Sequence, residues 1–254
     1  MAVSDLHPLP SWLPDETLFS WASRYHRLSG NRLASHTCHE LFGHGQQGTQ
    51  HDFPTRLTHL VNVTEGVLGD ARSIILQHTI LPFFLHFVGQ EKAESARLTL
   101  EGESLGGLKF QLGLVTSRFR ANHPLKACPV CMLHDHGIHG TPYWHRDHQY
   151  PGVWICPSHG VPLRMSTTKS SGVGRFLWHL PHESQLSPAF TQTHEPSSRE
   201  IDALIAFSKL PLSLAGLPSE AQIEPKALQH ALMSELKRRE LATRTNRMRS
   251  VNPS

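Results

Sequence analysis

Two short ligand pairs constrain this chain more than anything else in it: Cys128-Pro129-Val130-Cys131 and Cys156-Pro157-Ser158-His159. Tetrahedral zinc takes four N or S ligands, and a two-residue spacer lets one tight turn aim two side chains at one ion. Three of the chain's four cysteines lie in this pattern. Each pair places proline directly after its first ligand, which fixes φ there and lowers the entropy lost on forming the turn. Gly160 can supply a left-handed exit after the second pair. The spacing predicts one structural zinc held by Cys128, Cys131, Cys156 and His159.

Other cysteine and metal chemistries fit less well. A redox CxxC follows a βαβ pattern and has no need of the downstream pair. A zinc deaminase requires H-x-E ahead of P-C-x-x-C, and a zincin requires H-E-x-x-H; neither string occurs here. Four protein ligands close the coordination sphere and leave no position for an activated water, so the metal reads as scaffold. His134, His136, His139, His145 and His148 lie between the pairs, and any of them could replace His159; the matched spacing favours His159.

Bulk properties narrow the setting. Hydrophobic residues make up 38% of the chain, with 18 glycines and 18 prolines, which suits helical pieces joined by long connections. No run approaches the ~20 apolar residues of a membrane helix. The best candidate, residues 80–88, is interrupted by Pro82 and His86. The N-terminus has Asp5 and no basic region leading into an apolar run, so no secretion signal is expected. With metal-type cysteines, this points to a reducing cytoplasm. Net charge is +3, but positive charge gathers at the C-terminal end in Lys237, Arg238, Arg239, Arg244, Arg247 and Arg249, against Glu240. Such a cluster can contact phosphate, and equally can be a solvated helix face.

Periodicity predicts three units. Residues 1–121 read as a helical, helix-turn-helix-like domain. Its first helix is expected to be capped at Asp15, to carry Leu18, Trp21, Ala22, Tyr25 and Leu28 on one side, and to stop at Gly30. A second spans about 31–42, and Thr64 is expected to cap a later one carrying Val67, Leu68, Ile74 and Ile75. Trp21 and Tyr25 read as core, and Cys38 as a buried thiol. Residues 122–166 form the zinc-binding ribbon, with the β-prone run Val153, Trp154 and Ile155 leading into Cys156. Residues 167–254 form a C-terminal helical segment with a basic tail. Ser197 and Glu200 open one helix there as a capping box, with Pro211 after its end. Another runs from Pro225 to Arg239 with Leu228, Ala231, Leu232 and Leu236 on one face. The fold class is therefore mainly α with a small zinc ribbon.

The chain resembles the TniQ/TnsD family of transposon target-selection proteins. The resemblance rests on Pro10, on Pro14-Asp15-Glu16-Thr17-Leu18 with Ser20-Trp21 and Arg24, and on Cys128-Pro129-x-Cys131. It continues through Tyr143-Trp144-x-Arg146-Asp147-x-Gln149-x-Pro151-Gly152-Val153 and Cys156-Pro157-x-His159-Gly160-Val161-Pro162-Leu163, covering roughly residues 8–165. It implies a non-catalytic adaptor of a bacterial heteromeric transposon, with helix-turn-helix, zinc-ribbon and helical modules. Such an adaptor links target DNA or an RNA-guided CRISPR effector complex to a AAA+ regulator, and a homodimer is compatible with it. Arg146, Asp147, His148 and Gln149 beside the zinc pattern read as a local salt bridge and support for the ligands or, more sharply, as a partner or nucleic-acid surface, and on the sharper reading Arg146, Gln149 and the six C-terminal bases are the expected binding residues. The competing readings are a stand-alone DNA-binding regulator and a metal-dependent nuclease built on His145, Asp147 and His148.

Overall fold

The computed structural model describes residues 6–46, 48–115, 124–168, 176–188, 197–218 and 220–243. In α1 (Leu18–Ser29), Leu18, Trp21, Ala22 and Tyr25 recur at the spacing of one helical face, and all four are buried. Gly30 ends the helix in the left-handed conformation at φ 67°. There follow α2 (Ala34–Phe42), α3 (Leu57–Val63), α4 (Ala71–His78), α5 (Leu81–Leu85), α6 (Gln90–Glu101) and α7 (Leu108–Gln111). Neighbours along this series pack on one another, and α6 closes back on α3 and α4. Their shared interior contains Phe19, Trp21, Tyr25, Leu41, Phe42, Phe53, Leu57, Leu60 and Ile74. The rings of Trp21 and Tyr25 stack at 5.8 Å, so both are core, and Cys38 is buried beside them.

After this bundle, β1 (Lys126–Ala127), β2 (Arg164–Ser166) and β3 (Leu186–Pro188) form an antiparallel sheet in the order β1-β2-β3. Lys126 pairs with Met165, and Met165 with Ser187. Between β1 and β2 lie α8 (Pro129–His139) and α9 (Arg146–Gln149); α10 (Ser198–Ala215) and α11 (Pro225–Arg238) follow. The chain is thus mainly helical with a small sheet. The run at 153–155 contributes one isolated bridge, between Ile155 and Pro162.

Three local expectations are corrected. Thr17, not Asp15, caps α1 by accepting from the Ser20 amide; Asp15 sits at φ 55° and turns its carboxylate elsewhere. Thr64 ends α3, and Asp70 caps α4 by accepting from Ser73 N. Pro211 lies inside α10, not beyond it. The capping box of Ser197 and Glu200 does form. Pro211 is buried, and its ring packs on the turn at Gly152, where a Cβ would stand 3.3 Å from Pro211 and 3.1 Å from Phe207. Gly152 has φ 86°, so glycine is needed there for conformation and for space.

Candidate metal centre

The two pairs are brought together by different local devices. β1 delivers Cys128 to the N-cap position of α8, with Pro129 opening the helix and Cys131 in its first turn. The positive end of a helix therefore faces two sulfurs, which favours thiolate. The second pair closes on itself: Cys156 N donates to Val161 O at 2.8 Å, and Gly160 N donates to Cys156 O at 2.9 Å with Gly160 at φ 64°.

One ligand atom from each of Cys128, Cys131, Cys156 and His159 falls within 4.8 Å of all the others. His159 Nδ1 lies 3.6, 3.3 and 3.5 Å from the sulfurs of Cys128, Cys131 and Cys156. The sulfurs of Cys131 and Cys156 are 3.8 Å apart. A tetrahedral zinc with Zn–S ≈ 2.3 Å and Zn–N ≈ 2.0–2.1 Å requires roughly 3.8 Å between sulfurs and about 3.5 Å from sulfur to nitrogen. The donor set fits a metal ion. Cys156 is held low as a thiolate by hydrogen bonding from Cys128 and Cys131, whereas Cys131 is pushed up by hydrogen bonding to Cys128 and Cys156. A bound cation would draw all three toward thiolate.

The five intervening histidines divide by position. His134, His136 and His139 are exposed on α8. His145 Nε2 is 2.9 Å from Asp135, an ion pair that raises the imidazole's pKa against the opposing effect of burial. His148 is buried, with Nε2 3.6 Å from Cys156 Sγ and 3.8 Å from Cys131 Sγ, while its Nδ1 finds no partner. It touches two sulfurs from outside the four-atom cluster. The three residues of the nuclease reading take other partners: His145 pairs with Asp135, Asp147 lies 3.9 Å from Arg146, and His148 contacts two sulfurs.

Of the polar cluster beside the candidate ligands, His148 and Gln149 face inward. Gln149 is buried; its Oε1 accepts from Lys126 N, and its Nε2 donates to the carbonyls of Lys126 and His145. Its polar atoms are thus used within the chain, and the expectation that it binds nucleic acid or a partner is corrected. Arg146 donates to Leu76 O at 2.9 Å and lies 3.4 Å from Asp15. Of the six C-terminal bases, Arg244, Arg247 and Arg249 lie outside the described residues. Arg238 and Arg239 both pair with Glu235 at 2.6 Å, and Lys237 is exposed near them.

The N-terminal motif and the motif at 143–149 form one joint, which the sequence does not reveal. Thr17 N donates to Trp144 O, Trp144 N to Ser20 Oγ, Tyr143 OH to Pro14 O, and Arg146 N to Asp15 O, at 2.7 to 3.1 Å. Asp15 Oδ2 accepts from Asp147 N at 3.0 Å, so the carboxylate absent from the cap of α1 instead caps α9. Burial pushes Asp15 up to about 6. Glu16 is fully buried against Arg24 at 2.9 Å, and burial lifts it to about 7.

A family model described as TniQ matches residues 8–163, which contain both halves of this joint and all four candidate ligands. The transposon Tn7 transposition protein TnsD of Escherichia coli is 26% identical over 161 residues, covering 63% of this chain. The chain spans about 30% of that relative's length.

Proposed function

This chain belongs to the TniQ family, and on that premise we propose that it is a non-catalytic target-selection component of a bacterial transposon. The observation that carries the reading is the family match over residues 8–163, whose two ends meet in the joint between residues 14–20 and 143–147 and which includes the candidate metal centre. Cys128, Cys131, Cys156 and His159 hold a structural zinc, whose chemical contribution is to cross-link β1, α8 and the second knuckle. Four protein donors leave the ion no open position, so the output is recruitment and not turnover. The protein acts in the cytoplasm, and no helix among the described residues is long and apolar enough to cross a membrane.

The working division keeps residues 1–121, 122–166 and 167–254 as three segments, with the N-terminal helices as a helix-turn-helix-like unit. One face meets target DNA or an RNA-guided effector complex, and another meets a AAA+ regulator. Lys237, Arg238 and Arg239 of α11, with Arg146 at the joint, supply cationic groups for that contact. The name of the relative, a transposition protein, supports this reading.

The test is co-purification of the full chain with the ATPase encoded beside it, with and without target DNA. Retention of the ATPase supports recruitment. Failure to retain it under both conditions, combined with metal-dependent DNA cleavage that is lost in His148→Ala, would replace recruitment with catalysis.

A further inference from the structure

A cleft of about 660 Å³ opens between α8 and the segment at 179–186; it borders the first ligand pair through Pro129 and Met132 but is lined by none of the four candidate ligands. Its α8 wall is a single helical stripe in which Met132 and Leu133 are the large apolar groups. Leu133 is 76% exposed, a position that nothing in the helical bundle accounts for. Leu180 and Leu186 line the opposite side. Two guanidiniums reach the cleft from separate elements, Arg27 from the last turn of α1 and Arg164 from β2. The single lining carboxylate, Glu183, lies 3.2 Å from Arg164 and is itself 82% exposed, so an incoming acid can displace it.

These features select one kind of occupant. Nucleic acid is held chiefly by cations on its phosphates, and its fit to a predominantly apolar trough is poor. A peptide helix or strand with leucine-like groups on one side and carboxylates beside them satisfies both the lining and the charge, because Arg recognises carboxylate through paired N–H donors. Methionine on the wall adapts to different apolar partners. We propose that this cleft docks an acidic amphipathic segment of a partner protein, with its apolar side chains against Met132, Leu133 and Leu186 and its carboxylates on Arg27 and Arg164.

The proposal goes beyond target selection and stands without it, since it is argued from the lining of the cleft. It does depend on the metal centre. The α8 wall starts at Cys128 and Cys131, so a chain that loses its metal loses the position of that wall.

Fluorescence anisotropy on the full zinc-loaded chain tests it, using a fluorescein-labelled peptide of repeating Glu-Leu-Leu-Asp as probe and its Lys-Leu-Leu-Lys counterpart as control. The acidic probe should bind saturably with a Kd of roughly micromolar order. Arg27→Glu and Leu133→Asp should each weaken it by at least about tenfold, the scale of an interface anchor. Both residues are exposed, so unchanged zinc content and circular dichroism should accompany the loss. Chelation should abolish binding in the native chain. Absence of saturable binding, equal binding of the basic peptide, or indifference to both substitutions overturns the proposal. Duplex DNA that binds and loses affinity in the same two variants would assign the cleft to phosphate and overturn it as well.

Discussion

Between α1 and α7 the interior is filled by apolar side chains, among them Trp21, Tyr25, Phe42, Phe53 and Leu60, each removed from water. In the block around the metal the buried set includes Lys126, Asp135, His148 and Gln149 beside three cysteines. Lys126 shows the difference most clearly. Its ammonium donates to the carbonyls of Tyr150 and Val153 at 2.9 and 2.7 Å and lies 4.8 Å from the Trp154 ring, and burial lowers its pKa to about 7. A group like this costs stability unless its surroundings are fixed. The bundle can hold itself by area removed from water. The block around the candidate ligands also removes apolar area from water, through Trp144, Tyr150, Val153 and Leu163, but adds directed bonds to it, and a bound ion would add more.

The largest expected effect breaks the metal block alone. Cys131→Ser should drop zinc to near zero per chain, removing on the order of 10 kcal/mol of coordination-linked folding energy. Helical circular dichroism from the bundle should largely remain. Full zinc by elemental analysis in that variant would remove Cys131 from the ligand set. Trp21→Ala makes the converse cut. Loss of a fully buried aromatic should cost about 3–5 kcal/mol in thermal or urea unfolding while zinc content stays unchanged. If zinc falls in step, the two regions fold as one unit and the contrast fails.

Acidity should move the two regions in opposite directions. Thiols and imidazole must be deprotonated to bind metal, so zinc occupancy should fall as pH falls. Glu16 behaves otherwise. Burial places its folded pKa near 7, above the ordinary 4.5, so the folded state binds more protons than the unfolded one across that window. By linkage its contribution favours folding at the acid end and is lost as pH rises through about 7. Glu16→Gln should flatten that part of the stability profile, an effect of at most a few kcal/mol. A profile identical to the native one between about pH 5 and 8 would show that Arg24 already keeps Glu16 ionised.

The smallest effect concerns the joint. In a double-mutant cycle, Asp15→Ala and Arg146→Ala should couple by roughly 0.5–3 kcal/mol, since their side chains are 3.4 Å apart and both are mostly covered. Additivity would mean that the backbone bonds at residues 15–17 and 144–147 hold the regions together without the ion pair.

Legibility followed sequence distance. The ligand pairs could be read because a knuckle is local, and two residues of spacing already determine where two side chains point. The stripe of α1 and the capping box of α10 could be read for the same reason. The role of Asp15 could not. Its residue type and place suggested a cap on the helix that follows it, yet the helix it caps begins at Arg146, and nothing in the local pattern encodes that pairing. Gln149 looked like a surface group because amides usually are, and only the approach of β1 gives all its polar atoms partners.

The sequence by itself therefore determined the stripe of α1, the capping box of α10, the two ligand pairs and the family, each of which depends on residue types at short, fixed spacing, whereas α8 lay unread inside the expected ribbon. Tertiary structure decided which histidine meets all three sulfurs, that α10 continues through Pro211, and that motifs at residues 14–20 and 143–149 form one unit. It also made the cleft between α8 and residues 179–186, whose walls come from distant parts of the chain. The physical reason is common to these cases. A buried polar group is tolerated only where a distant segment supplies its partner, and that partner is chosen by packing in space, which short-range periodicity does not record.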